Sequence, residues 1–291
     1  MDLNELRKEI DRVDDELVRL FVQRMEVSAR IADYKKENDL PIFVPAREAE
    51  KLLDVAQKAG ADMEVYTKVL YSMLFELSRG YQSKRNAART PLYGCIADAM
   101  EHTAKLLPKD TVVACTTDDE EGNATVCQKL FGSCAILQFK GVDGVLSAVA
   151  QKMCRYGIVP LDGSVQQLYD RLTAQGLYIV RAFVLHSDHS CTRYLCVGSE
   201  LEIYPGAERC SIRMALSDHP GALYKVLARL YTLGINVVRL ESRPITEKKF
   251  QGMFYFDLQT SVYSDEFVQL MCELDDLCEE FAYLGSYTEV V

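Results

Sequence analysis

The segment DLNELRKEIDRVDDELVRLFVQRMEVSARIADYKK, residues 2–36, places apolar side chains at Leu3, Leu6, Ile10, Val13, Leu17, Leu20, Val27, Ile31 and Tyr34. The spacing alternates three and four residues, so these side chains form one stripe on an α-helix. At 1.5 Å per residue the predicted helix is about 50 Å long, several times an ordinary globular helix. A stripe of that length needs a partner along its whole seam, which points to a helix that associates with a second copy. Arg24 stands in the seam slot between Leu20 and Val27. A guanidinium there is costly unless paired. Arg7 and Lys35 share a heptad position on the shoulder of the same stripe, so three cations flank a face that dimerisation alone would keep apolar.

Working outward, Pro41 and Pro45 end the first helix and open a second near 46–59, which Gly60 closes. A third helix is expected over about 62–84, with Tyr66, Val69, Leu70, Met73, Leu74 and Leu77 on its inner side. Ser78 and Gln82, four apart, share a face beside that stripe. SKRNAARTPLY, residues 83–93, reads as a linker.

Residues 94–206 alternate strand-like runs (112–115, 135–139, 156–161, 178–185, 194–198) with helical ones (near 96–107, 122–131, 143–154, 164–174). That alternation predicts an α/β lobe with a parallel or mixed sheet. Asp118, Asp119, Glu120 and Glu121 read as a solvated loop rather than a metal site. Residues 207–291 read as βαββαβ, a ferredoxin-like sandwich. A strand at 209–217 leads to Asp218, a candidate cap for a helix that starts at Pro220 and ends near Gly234. Strands at 235–243 and 250–261, a helix over about 264–280 and a last strand follow. The fold class is therefore multidomain: an all-α unit at 1–85, a reduced α/β lobe at 94–206, and a ferredoxin-like domain at 207–291.

Composition bounds the chemistry. The 291 residues carry 33 Lys plus Arg against 43 Asp plus Glu, a net charge of −10. Such a chain has no electrostatic footprint for nucleic acid and is repelled by anionic membrane surfaces. No apolar run approaches the roughly 18 residues that span a bilayer. The charged N-terminus has no signal-peptide core, and ten cysteines without a Cys-x-x-Cys pair read as reduced thiols. The expectation is a cytoplasmic protein. His186 and His189 lack a third ligand and read as loop residues, so no metal is expected. No phosphate-binding or dinucleotide-binding glycine motif occurs.

An anionic substrate of this acidic chain must be gripped by a local cationic cluster. Arg7, Arg24, Lys35 and Arg47 supply the cations, Glu48 an acceptor suited to a hydroxyl, and Ser78 and Gln82 neutral donors. Arginine presents a fork that fits carboxylates bidentately. LRKEID (6–11), Arg24, Lys35, the ARE run at 46–48, and Ser78 with Gln82 resemble the all-helical class of chorismate mutase. The resemblance implies an intertwined dimer of three-helix subunits that converts chorismate to prephenate by a Claisen rearrangement, without cofactor. It implies that Arg24, and Arg7 from the partner subunit, clamp the two carboxylates. Lys35 and Gln82 then face the ether oxygen, and Arg47, Glu48 and Ser78 bind the hydroxyl and a carboxylate. The family commonly has an acidic residue where this chain has Val44.

PGALYKVL (220–227) and ESRPI (241–245) resemble the ACT domain of prephenate dehydratases. The resemblance implies a phenylalanine site at a dimer interface, built on Gly221, Ala222, Leu223, Glu241, Ser242, Arg243 and Pro244. The bare alternative is a dimerisation module without ligand. CRYGIVPLDGS (154–164) and CTRYLCVG (191–198) resemble pieces of prephenate dehydratase itself, and imply site positions at Ser164, Thr192 and Arg193. Between Ser164 and Thr192 only 27 residues intervene, where that family places a whole second lobe. Fewer than about 40 residues do not form an independent unit. The reading is a chorismate mutase with a degenerate dehydratase lobe and a phenylalanine-responsive C-terminal domain, a homodimer or higher oligomer. Two alternatives stand beside it: a working bifunctional mutase–dehydratase, and a non-enzymatic amino-acid sensor that uses its helices only to dimerise.

Overall fold

In a computed structural model of the chain, residues 2–38, 40–41, 44–86, 90–161, 163–186, 191–217, 221–245, 251–278 and 280–290 are described. They divide into two compact units, 1–90 and 91–291.

The first unit has three helices: α1 (Leu3–Glu37), α2 (Pro45–Ala59) and α3 (Glu64–Asn86). Asp2 and Glu5 close a capping box at the start of α1, and satisfy backbone donors that the first turn leaves open. Pro45 occupies the first turn of α2, where its missing N–H costs nothing. Gly60, with φ of 79°, follows the end of α2. Only the second half of α1 packs on its own chain, burying Ser28, Ala29 and Ala32. From Asp2 to Leu20 every residue is exposed, including Leu3, Leu6, Ile10, Val13, Leu17 and Leu20. The inner stripe expected on α3 is corrected for its first half. Tyr66, Val69 and Leu70 are exposed, whereas Tyr71 to Leu77 are half-buried.

The second unit is built on one nine-stranded sheet, with strand order β2-β1-β3-β5-β4-β9-β6-β8-β7. α4 (Pro91–His102) precedes β1 (Thr111–Thr116), α5 (Glu120–Phe131), β2 (Cys134–Phe139), α6 (Gly141–Ala150), β3 (Tyr156–Leu161), α7 (Gln166–Gln175), β4 (Tyr178–His186) and β5 (Cys191–Gly198). β6 (Arg209–Ser217), α8 (Ala222–Thr232), β7 (Asn236–Pro244), β8 (Gln251–Gln259), α9 (Asp265–Leu277) and β9 (Phe281–Val290) complete it. β1 pairs parallel with β2 and β3, and β5 pairs antiparallel with β3 and β4, so the sheet is mixed. The last six elements run βαββαβ with local strand order β9-β6-β8-β7, which is ferredoxin-like.

The sheet does not stop at residue 206. β4 pairs parallel with β9, from Arg181 with Thr288 to Phe183 with Val290. Gly285 makes that approach possible. Its φ is 128°, and a β-carbon there would run into the carbonyl oxygen of Ile179. One core joins Val145, Leu146, Tyr169, Leu172, Ile179 and Leu195 to Tyr255, Leu284 and Tyr287. A second packs α4, α8 and α9 against Cys210, Ile212 and Met214 of β6.

The ends of the expected linker are helical: α3 runs to Asn86 and α4 starts at Pro91, with Ile96 and Ala99 buried against the C-terminal helices. The acidic stretch at 118–121 is not a loop throughout. Asp119 caps α5, accepting from the Gly122 N–H at 3.1 Å, and Glu120 and Glu121 form its first turn. Carboxylates before and within the first turn of a helix are what its dipole favours. Asp218 and Pro220 lie outside the described residues, as does His189. α8 begins after Gly221 in a left-handed conformation. Among the described residues no helix is long and apolar enough to cross a membrane, and no three His, Cys, Asp or Glu side chains are grouped to hold a metal ion.

Candidate active site

Arg24 leaves the α1 stripe to reach α3. Its Nη1 donates to the Leu74 carbonyl at 3.1 Å and to the Ser78 hydroxyl. Ser78 in turn donates to Leu74 O at 2.8 Å, the back-bond that a serine inside a helix commonly makes. The guanidinium lies 5.8 Å from the centre of the Phe75 ring. Burial lowers the Arg24 pKa, with Tyr71 and Glu48 opposing the shift. Burial also lowers the Lys35 pKa, and Glu48 again opposes it. Glu48, in the first turn of α2, is thus the carboxylate that both cations feel. A hollow of about 420 Å³ opens beside Arg24, lined by Leu20, Gln23, Arg24, Val27, Ser28 and Ile31 of α1. It is an open groove on the face of α1, and of the expected site residues Arg24 alone lines it.

Gln82 lies one turn beyond Ser78 and is 8 % exposed. Its Oε1 is buried without a hydrogen-bond partner, a state that costs free energy in a folded chain. Arg24, Lys35, Glu48, Ser78 and Gln82 therefore line the inner faces of one three-helix unit. Two expected residues stand apart. Arg47 is exposed and pairs with Glu50 at 3.3 Å on the surface of α2. Arg7 is exposed near the start of α1, and its Cα lies about 26 Å along the helix from that of Arg24. Within one chain Arg7 cannot share a pocket with Arg24. The sequence reading missed Arg79, which is almost fully buried and bridges Glu48 and Glu76. A charged residue inside the α3 stripe was the available signal, but its partner on α2 lies 31 positions away.

In the second unit, Gly221 has a φ of 92° and nothing within 4 Å of where a β-carbon would stand. The backbone, not a close neighbour, requires glycine there. Ala222 and Leu223 pack into the core under α8. Pro244 of β7 and Leu216 of β6 flank Gly252 of β8, so the segment that follows β6 and the end of β7 come to one end of the sheet.

Of the three dehydratase-like positions, Ser164 and Arg193 are held by carboxylates of the ferredoxin-like strands. Ser164 donates to Glu241 Oε2 at 2.5 Å, and the Val165 N–H donates to Glu241 Oε1 at 3.4 Å. Glu241 thereby caps α7, whose own N-cap residue, Val165, makes no side-chain cap. Arg243 pairs with Asp170 at 2.5 Å, one turn further along α7. Arg193 is committed to Asp257 at 2.8 Å, Glu289 at 2.6 Å and the Tyr287 hydroxyl at 3.0 Å. Burial opposes the Arg193 charge, but Tyr287, Asp257, Tyr169 and Glu289 outweigh it and raise its pKa. Thr192 sits half-buried on β5 opposite Leu185.

Comparison with known proteins fits this division. Residues 6–83 match the family chorismate mutase type II. Over its full length the chain is 25% identical to a bifunctional chorismate mutase/prephenate dehydratase from Aquifex aeolicus, covering 99% of that protein. The alignment has 364 positions against 291 residues here, so 73 positions of that relative have no counterpart. A prephenate dehydratase from Mycolicibacterium smegmatis is 31% identical over 40% of this chain, and the match covers 39% of that protein. A prephenate dehydratase from Arthrobacter aurescens, solved in complex with L-Phe, superposes with a TM-score of 0.53 at 16% identity. That superposition covers 61% of this chain and 89% of the other, and at such identity it speaks for the fold alone.

Proposed function

We propose that this chain, which carries a chorismate mutase type II domain at residues 6–83, rearranges chorismate to prephenate in the synthesis of phenylalanine and tyrosine. The observation that carries the proposal is Arg24: a half-buried guanidinium held on Ser78 and Leu74 beside an open hollow in an apolar seam. A helix used only for association gains nothing from that charge.

The reaction breaks an ether C–O bond while a new C–C bond forms, with no proton to move and no covalent intermediate. Catalysis then rests on folding the dianion into its reactive shape and on donors aimed at the ether oxygen as it gains negative charge. Arg24 grips one carboxylate, Lys35 and Gln82 face the ether oxygen, and Glu48 accepts from the ring hydroxyl. Arg47 and Ser78 complete the carboxylate and hydroxyl contacts. The buried, unpartnered Oε1 of Gln82 belongs to an amide whose other end donates. Arg7 reaches the site only from a second copy, in a dimer whose α1 helices intertwine along the exposed row from Leu3 to Leu20. Arg24→Ala is expected to lower kcat/KM by about 100-fold or more while the fold survives. The measurement is chorismate consumption, with thermal unfolding as the control for folding. Near-normal turnover in this variant would overturn the assignment.

The C-terminal βαββαβ region is proposed to be an ACT domain that binds phenylalanine near Gly221–Leu223 and Glu241–Pro244 and lowers mutase activity. The arrangement of those segments at one sheet end supports this reading. We further propose that dehydratase activity is lost. Between Ser164 and Thr192 the described residues form only α7 and β4 of the shared sheet, and Ser164 and Arg193 are taken by Glu241, Asp257 and Glu289. The full-length similarity to a bifunctional relative favours the second reading, a working mutase–dehydratase. Incubation with prephenate decides between them: phenylpyruvate above background restores the bifunctional reading. The same assays run with phenylalanine test the regulatory part. The protein is proposed to work in the cytoplasm.

A further inference from the structure

We infer that Arg79 is a positioning residue for the rearrangement, acting through Glu48, an inference that rests on the mutase reading above. Its side chain is 7% exposed and spans two carboxylates, Glu76 on its own helix and Glu48 on α2. Glu48 is the acid that opposes the burial of both Arg24 and Lys35. Drawn only by those two cations, its carboxylate would fold onto them and occupy the charge meant for substrate. Arg79 takes Oε1 of Glu48 from the α3 side, which leaves Oε2 to accept from the substrate hydroxyl. With Val44 apolar at the preceding end of α2, Glu48 is the acid this unit aims at that hydroxyl.

Arg79 has a second effect on the field. Glu48 and Glu76 together would repel an incoming dianion, and at short range in a partly dry site that repulsion is weakly screened. Arg79 offsets them, so Arg24 and Lys35 keep their full attraction. A purely structural ion pair would stabilise the contact between α2 and α3 without either consequence.

The test is a kinetic cycle on the full-length chain with chorismate: wild type, Arg79→Met, Glu48→Gln and the double variant. Thermal unfolding and gel filtration check each protein first. Arg79→Met is expected to lower kcat/KM about tenfold or more, chiefly through KM. In the Glu48→Gln background the same change is expected to cost less than about twofold, because the group it positions is gone. Arg79→Lys, which keeps a charge but not the fork, is expected to recover part of the loss. It also replaces Arg79→Met in the cycle should that variant not fold. Equal losses in both backgrounds, or a folded Arg79→Met with wild-type KM, would overturn the role of Arg79 and leave the mutase reading standing. A wild-type chain that leaves chorismate untouched would sink both.

Discussion

Lys35 shows how burial and function pull on one group. Burial is the larger effect and lowers its pKa from the ordinary lysine value, while Glu48 partly restores it. The charged form is the one that donates to a developing oxyanion, so activity is lost as pH rises through this lowered pKa. The alkaline limb of kcat/KM is expected below the pH of an ordinary lysine, and the limb of kcat above it, since bound dianion favours the ammonium. Lys35→Arg is expected to remove that limb from the accessible range at some loss of rate. A pH–rate profile that is flat up to pH 10.5 in the wild type would refute this. Arg24 was legible in the sequence because it interrupts an apolar period. Arg79 was not, because what gives it meaning is Glu48 on another helix.

α1 is the element whose role is set by what does not touch it. Its period was readable, and so was the need for a partner. Its first 18 residues make no cover with their own chain. Burying one leucine side chain is worth about 1.5–3 kcal/mol, and a symmetric interface loses two at once. Leu17→Glu is therefore expected to raise the dimer dissociation constant by about two orders of magnitude or more, read by sedimentation or gel filtration. Turnover is expected to fall with it, because Arg7 would no longer reach a neighbouring site. An unchanged oligomer with Leu17→Glu would argue against an interface on that row. The expectation for Tyr66, Val69 and Leu70 failed for a related reason. Helical periodicity reports which face is apolar, not which chain covers it.

At the scale of the whole molecule, the second unit is held across residue 206 by a polar cluster as well as by its sheet. Asp257, 2% exposed, accepts from Arg193, from the Ser211 hydroxyl at 2.6 Å and from the Tyr169 hydroxyl at 2.5 Å. Tyr169 comes from α7, Arg193 from β5, and Ser211 and Asp257 from the ferredoxin-like strands. Neutralising Asp257 leaves Arg193 with Glu289 alone and weakens the bonds that Asp257 accepts from Tyr169 and Ser211, at a cost of about 1–3 kcal/mol. Asp257→Asn is expected to lower the thermal stability of the 91–291 body by that order, and Asp257→Leu with Arg193→Met by clearly less. Calorimetry that finds the single change harmless would show that the cluster does not hold the two regions together.

The sequence by itself determined the helices of the first unit, the βαββαβ order at the C-terminus, and the place of Arg24 in an otherwise apolar stripe. Those are local facts, carried by periodicity, by caps and by a charge out of place in an apolar stripe. Only the tertiary structure decided that β9 joins β4 in a single sheet, that Ser164 and Arg193 are spent on Glu241 and Asp257, and that Arg79 holds Glu48. Each of those is a pairing across tens of residues. Its energy depends on the distance and burial of both partners, and a linear pattern records neither.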